Sequence, residues 1–520
     1  MQNSARLAAS AAAGITLVGA AVLGPWLGFD PVDDAYISLR YAAHWAGGEG
    51  LVFNPGERVE GYTNFLLVAL EAGLIRLGVS PAEAMLVWGR VSLAGLAALV
   101  AAFAVRHLFV GAVAGCALIG SLVALHPVVL GWGLSGMETL LYALLVLVAT
   151  IATLGADTTR RAAVAGALFV LAALTRPEAA LLAPVAAAIA LRGRGRRVVL
   201  AFGWVFTIGF SVYFAGRALY FGQLFPNTFY AKLDFGGSAL AVRGLRYAAG
   251  FVLAIAPLAV SAALAGVGGR RHPRWFAPLA GVALAMLAIV VYEGGDHFPL
   301  FRFGAPIVPF AAILALVPFA LRARSTPRAV AGALALLVAS AAWAGVARPL
   351  AGGEGEVARR TREGLLARRW SELGGHLARA AEPGASLATV AVGAIGYTSG
   401  LVLVDPHGIV DPEIAHLDRE LGRGYAGHEK YDVANLLARR PHYLLVFNLA
   451  APQPVPEEEL PRLVWGAFNR ELIRHPDLAR NYRLEHVRVG EFWWSVHVRR
   501  DLPTLGVRPK SGDLRRDAAP

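Results

Sequence analysis

Two adjacent carboxylates, Asp33 and Asp34, follow the first long apolar run of the sequence. Carboxylates at such a place are costly unless water solvates them or a function retains them. Either side chain could take the proton of a hydroxyl group as a general base. Successive residues on a helix point about 100° apart, so the two side chains should not share one task. The alternative is that Asp33 only caps a helix, as acidic residues often do.

Charged and polar residues recur in four further short segments, each beside an apolar run: 135–139, 175–178, 226–232 and 294–303. The cations Arg40, Lys232 and Arg302 could hold a phosphate group, arginine through a bidentate fork and lysine as a point charge. Each segment alone has a plainer explanation, such as a turn, a helix cap or an arginine that snorkels to a surface. If all of them meet on one face, they favour a cleft.

Asp296 and His297 are neighbours in the last of these segments, and both are metal-ligand types. Zinc sites in proteins use three or four protein ligands, so two residues are a weak signal. We favour a site without a metal, with a divalent ion as the alternative.

The composition is that of a membrane protein. Of the 520 residues, 56% are hydrophobic and only 16% are charged, with a mean hydropathy of +0.54. Soluble domains are about half apolar and a quarter charged. The net charge of +12 does not indicate nucleic acid, because much of the arginine excess lies in short loops between apolar runs. The single cysteine, Cys116, excludes a disulfide within the chain.

The apolar runs lie at residues 8–28, 65–79, 84–104, 109–129, 136–155, 161–174, 178–191, 197–219, 247–267, 275–292, 304–321 and 328–346. The first run, 8–28, resembles a signal peptide. Because further apolar runs follow it, we interpret it as a span that is retained in the mature protein.

The loops between these runs indicate the topology. Thirteen arginines in five loops accompany one acid, Asp157, which predicts that those loops are cytoplasmic. Segment 30–83 carries eight acids against three arginines and is predicted to lie outside. If run 65–79 crossed the membrane, the later arginine loops would fall on the wrong side, so we expect it to lie on the outer face. The prediction is about eleven spans, with a cytoplasmic N-terminus and the C-terminus outside. The arginines are residues 106, 160, 161, 192, 194, 196, 197, 270, 271, 274, 322, 324 and 328.

The long apolar runs stop near residue 351 and charges become frequent. Short β-branched and aromatic stretches predict strands at 387–397, 401–405, 442–447, 483–489 and 492–499. We therefore expect a polytopic α-helical membrane domain at 1–350, an extracytoplasmic soluble α/β domain at 351–507, and a disordered tail at 508–520.

The residues at 33–41, Asp-Asp-Ala-Tyr-Ile-Ser-Leu-Arg-Tyr, and the turn-rich stretch 50–64 resemble the first external loop of GT-C glycosyltransferases. The similarity is closest to the mycobacterial terminal β-(1→2)-arabinofuranosyltransferase family. Segments 175–178, 226–232 and 294–303 are similar to that family too, as is segment 427–430 of the soluble domain. The resemblance spans nearly the whole chain.

This resemblance implies a GT-C catalytic domain at 1–350 with a first external loop at 30–83. It implies transfer of a sugar, arabinofuranose in that family, from a polyprenyl-phosphate donor to a cell-envelope glycan, lipid or protein. The reaction would occur on the outer face of the inner (plasma) membrane, with Asp33 or Asp34 as the base, no nucleic-acid partner and no firmly implied cofactor. The implied substrate-binding residues are Arg40, Tyr62, Asn64, Arg176, Glu178, Asn227, Lys232, Asp296, His297 and Arg302, with His428, Glu429 and Lys430 as soluble-domain candidates.

Two other functions compete with this interpretation. A transporter for a lipid-linked glycan would show an inverted repeat and charges near the middle of the membrane, and the sequence shows neither. A non-catalytic envelope-assembly factor would not need the Asp-Asp loop. A glycosyltransferase is the function that we favour from the sequence.

Overall fold

The structure is a computed structural model that describes residues 2–233, 237–267, 272–322, 325–350, 354–445, 450–464 and 466–505. The predicted disordered tail at 508–520 and the arginines at 270, 271 and 324 lie outside the described residues.

The chain is helical as far as Leu350. Its elements are α1 Gln2–Leu27, α2 Asp33–Gly47, α3 Phe65–Arg76, α4 Pro81–His107, α5 Val113–Ala124, α6 Pro127–Gly133, α7 Thr139–Leu154, α8 Thr159–Thr175, α9 Ala179–Ala190, α10 Arg196–Phe221, α11 Asn227–Lys232, α12 Ser238–Ala254, α13 Ala256–Val267, α14 Phe276–Tyr292, a 3₁₀ turn Ala305–Ile307, α15 Val308–Ala315, α16 Val317–Arg322 and α17 Thr326–Leu350.

Among the described residues, five apolar segments are long enough to cross a bilayer: Gln2–Leu27, Pro81–His107, Arg196–Phe221, Ala305–Arg322 and Thr326–Ala347. Two pairs of helices would qualify as single broken spans, α5 with α6, bent by 67°, and α12 with α13, bent by 90°. Helices α7, α9 and α14 are shorter and apolar. Together with α8, these helices follow the eleven apolar runs that are predicted to cross the membrane. Length and composition do not fix how many of them cross, so the number of eleven stays a prediction.

Helix α3 corresponds to the run that we expect on the outer face. Its 12 residues would extend about 18 Å at 1.5 Å per residue, which is less than a bilayer core of about 30 Å. It packs against α2, α4 and α8. Its length is consistent with the expectation, but the side of the membrane remains a prediction.

Helix α2 carries the Asp-Asp pair in its first turn. Its N-cap is Val32, which makes no side-chain cap bond, and it ends before Gly48, whose φ of 91° suits glycine. The alternative that Asp33 caps this helix is therefore wrong, because Asp33 is already a helical residue whose carboxylate bonds elsewhere.

The chain beyond residue 353 forms an α/β unit. Its elements are α18 Glu356–Ala380, β1 Ser386–Thr389, α19 Ala394–Ser399, β2 Val402–Val404, α20 Pro412–Ala415, α21 Val433–Ala438, β3 Tyr443–Leu445, α22 Leu460–Leu463, α23 Ala467–Arg474, α24 Pro476–Asn481, β4 Tyr482–Val489 and β5 Phe492–Arg499.

The five strands form one sheet in the order β2-β1-β3-β5-β4. Strand β1 pairs in parallel with β2 and β3, whereas β5 is antiparallel to β3 and β4. The predicted strand at 387–397 is wrong beyond Thr389, because the chain turns there into α19. The Asp33 carboxylate accepts hydrogen bonds from the N–H groups of Gly393 and Ala394 and so fixes the start of that helix. Residues 446 and 447 of the predicted third strand lie outside the described residues.

One hydrophobic core joins this unit to the first loop. Ile37, Tyr41 and Phe53 of the loop are buried in the same cluster as Leu387 and Trp494 of the sheet. The α/β unit is therefore packed onto the loop that carries the Asp-Asp pair.

Candidate functional site

The membrane helices and the first loop enclose a cavity of about 470 Å³, which we call the span-side cavity. Its apolar lining includes side chains of α9, α10 and α14, such as Leu181, Phe210 and Ile289. Its polar lining includes most of the sequence-predicted site residues: Asp34, Tyr62, Asn64, Arg176, Glu178, Lys232, Asp296, His297 and Arg302.

A second cavity of about 570 Å³, the domain-side cavity, lies between the first loop and the α/β unit. Asp33 lies on its wall, together with the predicted candidates His428 and Glu429. Four residues line both cavities, namely Asp34, Lys232, His297 and Ile409. The two cavities therefore meet beside Asp34, and a molecule in either one could reach that carboxylate.

Arg302 lies at this meeting point between two carboxylates. Its Nε is 2.5 Å from Asp296 Oδ2, and its Nη1 is 3.6 Å from Asp34 Oδ2. The guanidinium also lies between the rings of Phe298 and Phe303, 4.8 and 4.9 Å from their centroids. Burial acts to raise the pKa of Asp296, but Arg302, His297 and Lys232 together lower it. Asp296 is therefore ionised, and it fixes the guanidinium in place.

Asp33 points away from this arginine. One carboxylate oxygen accepts from Gly393 N at 3.1 Å, and the other accepts from Ala394 N at 2.7 Å. Burial and the neighbouring Asp34 raise the pKa of Asp33 to about 7, although the two backbone hydrogen bonds act in the opposite direction. The paired carboxylates thus differ in role: Asp33 attaches the first loop to the α/β unit, and Asp34 faces both cavities.

Lys232 is the other cation at the meeting point. Its side chain is half-buried, and none of the described carboxylates forms an ion pair with it. The amine therefore has positive charge available for a bound anion.

Arg176 forms a second charged cluster in the span-side cavity. Its Nη2 is 2.6 Å from Glu178 Oε1, and its Nη1 is 3.3 Å from Glu138 Oε1. Asn64 donates to the other Glu138 oxygen at 3.0 Å, and the side chains of Glu178 and Glu293 share a hydrogen bond. The carboxylates outnumber the single arginine, so this cluster suits hydroxyl groups better than a phosphate.

Three sequence-predicted residues do not line either cavity. Arg40 is 3% exposed and donates to the carbonyl oxygens of Phe53, Gly396 and Leu401, so it is not a phosphate ligand. Asn227 donates to two carbonyl oxygens of the α/β unit. Lys430 is buried, and its Nζ donates to the carbonyl oxygen of Ala415. Arg40 and Asn227 therefore connect loops of the membrane part to the α/β unit, whereas Lys430 connects two segments within that unit.

Several lining residues were missed from the sequence. Glu138 lies in a segment that the sequence does indicate, and Glu293 comes just before the Gly294-Gly295 turn. Arg217 lies inside an apolar run, which is a signal of function in a membrane protein, and it pairs with buried Glu60 at 2.5 Å. Glu363 of α18 gives no such signal, because charged residues are ordinary on that helix.

His297 Nδ1 is 3.4 Å from Asp296 Oδ1. Across the described part of the chain, no group of three or more His, Cys, Asp or Glu side chains could hold a metal ion together.

Comparison with known proteins supports the fold. Residues 358–500 match a family described as a domain of unknown function, DUF8728. No curated protein matches the sequence. The crystal structure of ArnT from Cupriavidus metallidurans bound to undecaprenyl phosphate is similar over 92% of this chain and 97% of that one, with a TM-score of 0.55 and 14% identity. The apo structure of the same protein is similar over 92% of this chain and 96% of that one, with a TM-score of 0.55 and 15% identity.

The chain has the GT-C fold. The similarity covers nearly the whole of both chains, which confirms the predicted class of a helical membrane domain followed by a small α/β unit. Identities of 14% and 15% concern the fold alone. They leave open whether this chain resembles arabinofuranosyltransferases more closely than other enzymes of the fold.

Proposed function

We propose that the protein transfers a sugar from a polyprenyl-phosphate donor to an acceptor hydroxyl on the outer face of the inner membrane. The observation that carries this proposal is the junction of two cavities beside Asp34, Lys232 and Arg302. A transferase needs two substrates to meet at a base and at cations that stabilise the leaving group. The ArnT structure, which holds undecaprenyl phosphate, supports a lipid phosphate as the donor.

The span-side cavity suits the donor. Its apolar lining comes from three apolar helices, so a polyprenyl chain could pass from the bilayer into the cavity without contact with water and would be held there by van der Waals packing. Its polar lining includes Lys232 and Arg302, which would bind the phosphate as a point charge and as a planar fork. The Arg176 cluster, rich in carboxylates, would accept hydrogen bonds from the hydroxyls of the sugar.

In this proposal Asp34 is the base. It takes the proton of the acceptor hydroxyl, the hydroxyl oxygen bonds to the anomeric carbon, and the bond from that carbon to the phosphate oxygen breaks. The phosphate leaves with the electron pair and is stabilised by Lys232 and Arg302. Asp34 suits this task better than Asp33, since it lines both cavities, whereas both oxygens of Asp33 accept backbone N–H groups.

Native mass spectrometry of the full chain in nanodiscs containing undecaprenyl phosphate tests the donor site. The wild type should retain one lipid phosphate, and Lys232→Gln should lose most of it. Arg246→Gln is the matched control, because Arg246 is exposed on α12 and lines neither cavity. Equal retention of the lipid by wild type and Lys232→Gln would contradict the proposed donor site.

A further inference from the structure

The domain-side cavity differs from the span-side cavity in what surrounds it. Of the described residues that line it, none lies in a helix long or apolar enough to be part of a span. Its wall comes from the first loop, the last residue of α11, the loop before the 3₁₀ turn, α18, and the loops and α23 of the α/β unit. A ligand in this cavity therefore needs no lipid chain, and at about 570 Å³ the cavity has the size of a small-molecule site.

Aromatic rings and carboxylates make up much of this wall. Five carboxylates and five aromatic side chains line this space; Glu420 and Glu429 pair with Arg423 and Arg243, and the other three are Asp33, Asp34 and Glu363. Flat apolar rings pack against the C–H faces of a sugar, and carboxylates accept hydrogen bonds from its hydroxyls. The aromatic residues are Phe298, Trp370, Tyr425, Tyr431 and Phe468.

Glu363 is a carboxylate of this wall that has no part in the proposed reaction. It lies on α18 seven residues, or about two helical turns, before Trp370, so both side chains are on the same side of the helix, and both line the cavity. Glu363 forms no hydrogen bond with any of the described residues. Burial raises its pKa, opposed by Arg360 and Arg359. A half-buried carboxylate without a protein partner is available for a ligand that donates hydrogen bonds.

The cations of the domain-side cavity do not favour a phosphorylated ligand. Arg423 pairs with Glu420 at 3.0 Å, and Arg419 lies over the ring of Tyr431, 4.0 Å from its centroid. Lys232 is shared with the donor side. An anionic head group would have to compete for these cations and would face the carboxylates of Asp33, Asp34 and Glu363, so a neutral ligand fits the charges better.

A peptide is also disfavoured. Proteins that read an extended peptide usually do so at a sheet edge, through main-chain hydrogen bonds. None of the described lining residues lies in β1 to β5. The cavity is lined by side chains and loop residues, and its carboxylates can accept hydrogen bonds from hydroxyl groups.

We propose that the domain-side cavity is the acceptor site, and that the acceptor is an uncharged carbohydrate bound by Glu363 and stacked on Trp370. The inference rests on the proposed function, because it assigns the second substrate of the same reaction. Glu363 is a specificity-determining residue here: it accepts hydrogen bonds from ring hydroxyls and orients the reacting one towards Asp34.

An array carrying neutral oligosaccharides, the same oligosaccharides with a phosphate group, and short peptides tests this assignment. The full chain in nanodiscs should be retained by neutral oligosaccharides. Glu363→Gln and Trp370→Ala should each weaken that binding by about tenfold or more, as expected for a lost hydrogen bond to a charged group and a lost aromatic contact. Glu372→Gln, an exposed carboxylate on the same helix that lines neither cavity, should bind like the wild type.

Binding of undecaprenyl phosphate, measured on the same samples, separates the two proposals. Glu363→Gln should keep the lipid phosphate while it loses the oligosaccharide. Retention by phosphorylated oligosaccharides or peptides alone, or no retention by any member of the array, would overturn the carbohydrate assignment and leave the donor site untouched. Loss of the lipid phosphate in the wild type would instead overturn the proposed function.

Discussion

Adjacent residues of the same type can have opposite surroundings, and Asp33 and Asp34 show this. The sequence places both at the start of α2, and helical geometry predicts that they diverge. It does not reveal their partners, because Gly393 and Ala394 lie about 360 positions further along the chain. The role of Arg40 could not be predicted for the same reason, because its carbonyl acceptors Gly396 and Leu401 lie equally far along the chain, in the α/β unit.

The first prediction separates the two carboxylates by pH. A pKa of about 7 means that Asp33 is protonated below pH 7 and gains its charge as the pH rises through that value. Charged Asp33 holds α19 beside the domain-side cavity with both oxygens, so kcat/KM for transfer should fall as the pH drops below about 7. Asp33→Asn should transfer more slowly but without this pH dependence. Asp34→Asn should lose about 10²–10⁴ in rate at every pH, as for a lost general base.

The measurement is kcat/KM between pH 5.5 and 8.5, an interval of about one and a half units on each side of the pKa. Size-exclusion profiles of both variants serve as the control for folding. If the acidic fall persists in Asp33→Asn, another group causes it. If Asp34→Asn turns over like the wild type, Asp34 is not the base.

The second prediction concerns the geometry of Arg302. Its fork reaches Asp296 and Asp34 at once, and an ammonium group cannot reproduce two directed contacts and a stacked plane. Arg302→Lys should therefore weaken binding of a soluble polyprenyl-phosphate sugar analogue by about tenfold. Arg302→Gln should weaken it by about 100-fold, because the charge is lost as well.

Titration of the analogue against each variant measures this effect, with Arg246→Gln as the matched control for a lost positive charge. Oligosaccharide binding should be largely spared. Wild-type affinity in Arg302→Gln would remove this residue from the phosphate site and leave Lys232 as its cation.

At the scale of elements, hydrophobic periodicity predicted most of the architecture, because apolar runs and short β-branched stretches are local signals. The helices follow the predicted runs, and β2, β4 and β5 fall where expected. Breaks within runs were not predicted: the 90° bend between α12 and α13 interrupts a run that is apolar throughout. The sheet order was also beyond prediction, since pairing between β1 and β3 depends on residues some 56 positions apart.

The third prediction places α3 on the outer face. In a Cys116→Ala background, single substitutions Leu77→Cys, Thr159→Cys and Ser325→Cys put exposed thiols just after α3, at the first residue of α8 and just before α17. An impermeant thiol reagent added to intact spheroplasts should label only the first, because the arginine loops predict a cytoplasmic location for the other two.

Permeabilised cells provide the control, since all three thiols should then react. Labelling of Thr159→Cys from outside would show that α3 crosses the membrane or that the whole orientation is inverted.

At the scale of the whole molecule, the composition change near residue 351 does not separate two independent cores. The cluster shared by the first loop and the sheet includes Tyr41, Phe53 and Tyr62, which are 0%, 2% and 4% exposed, together with Trp494 at 1%. The loop that presents Asp34 is therefore supported by the α/β unit, and both cavities depend on this contact. The chain therefore does not divide into a catalytic membrane part and an accessory domain, because both parts contribute walls of the domain-side cavity.

The fourth prediction follows from that shared core. A chain truncated after Leu350 should aggregate or be degraded in the membrane, because Tyr41, Phe53 and their neighbours would face water. This exposure destabilises the fold by about 25 cal/mol per Å² of apolar surface. Arg40 would also lose the carbonyl oxygens of Gly396 and Leu401. Thermal unfolding and size exclusion of the detergent-solubilised protein measure the effect.

Truncation after Leu505 is the control: it removes only residues outside the described part of the chain and should leave Tm unchanged. A monodisperse chain 1–350 that unfolds at the wild-type temperature would mean that the first loop folds without the α/β unit, and Asp33 would then have no necessary partner in Gly393 and Ala394.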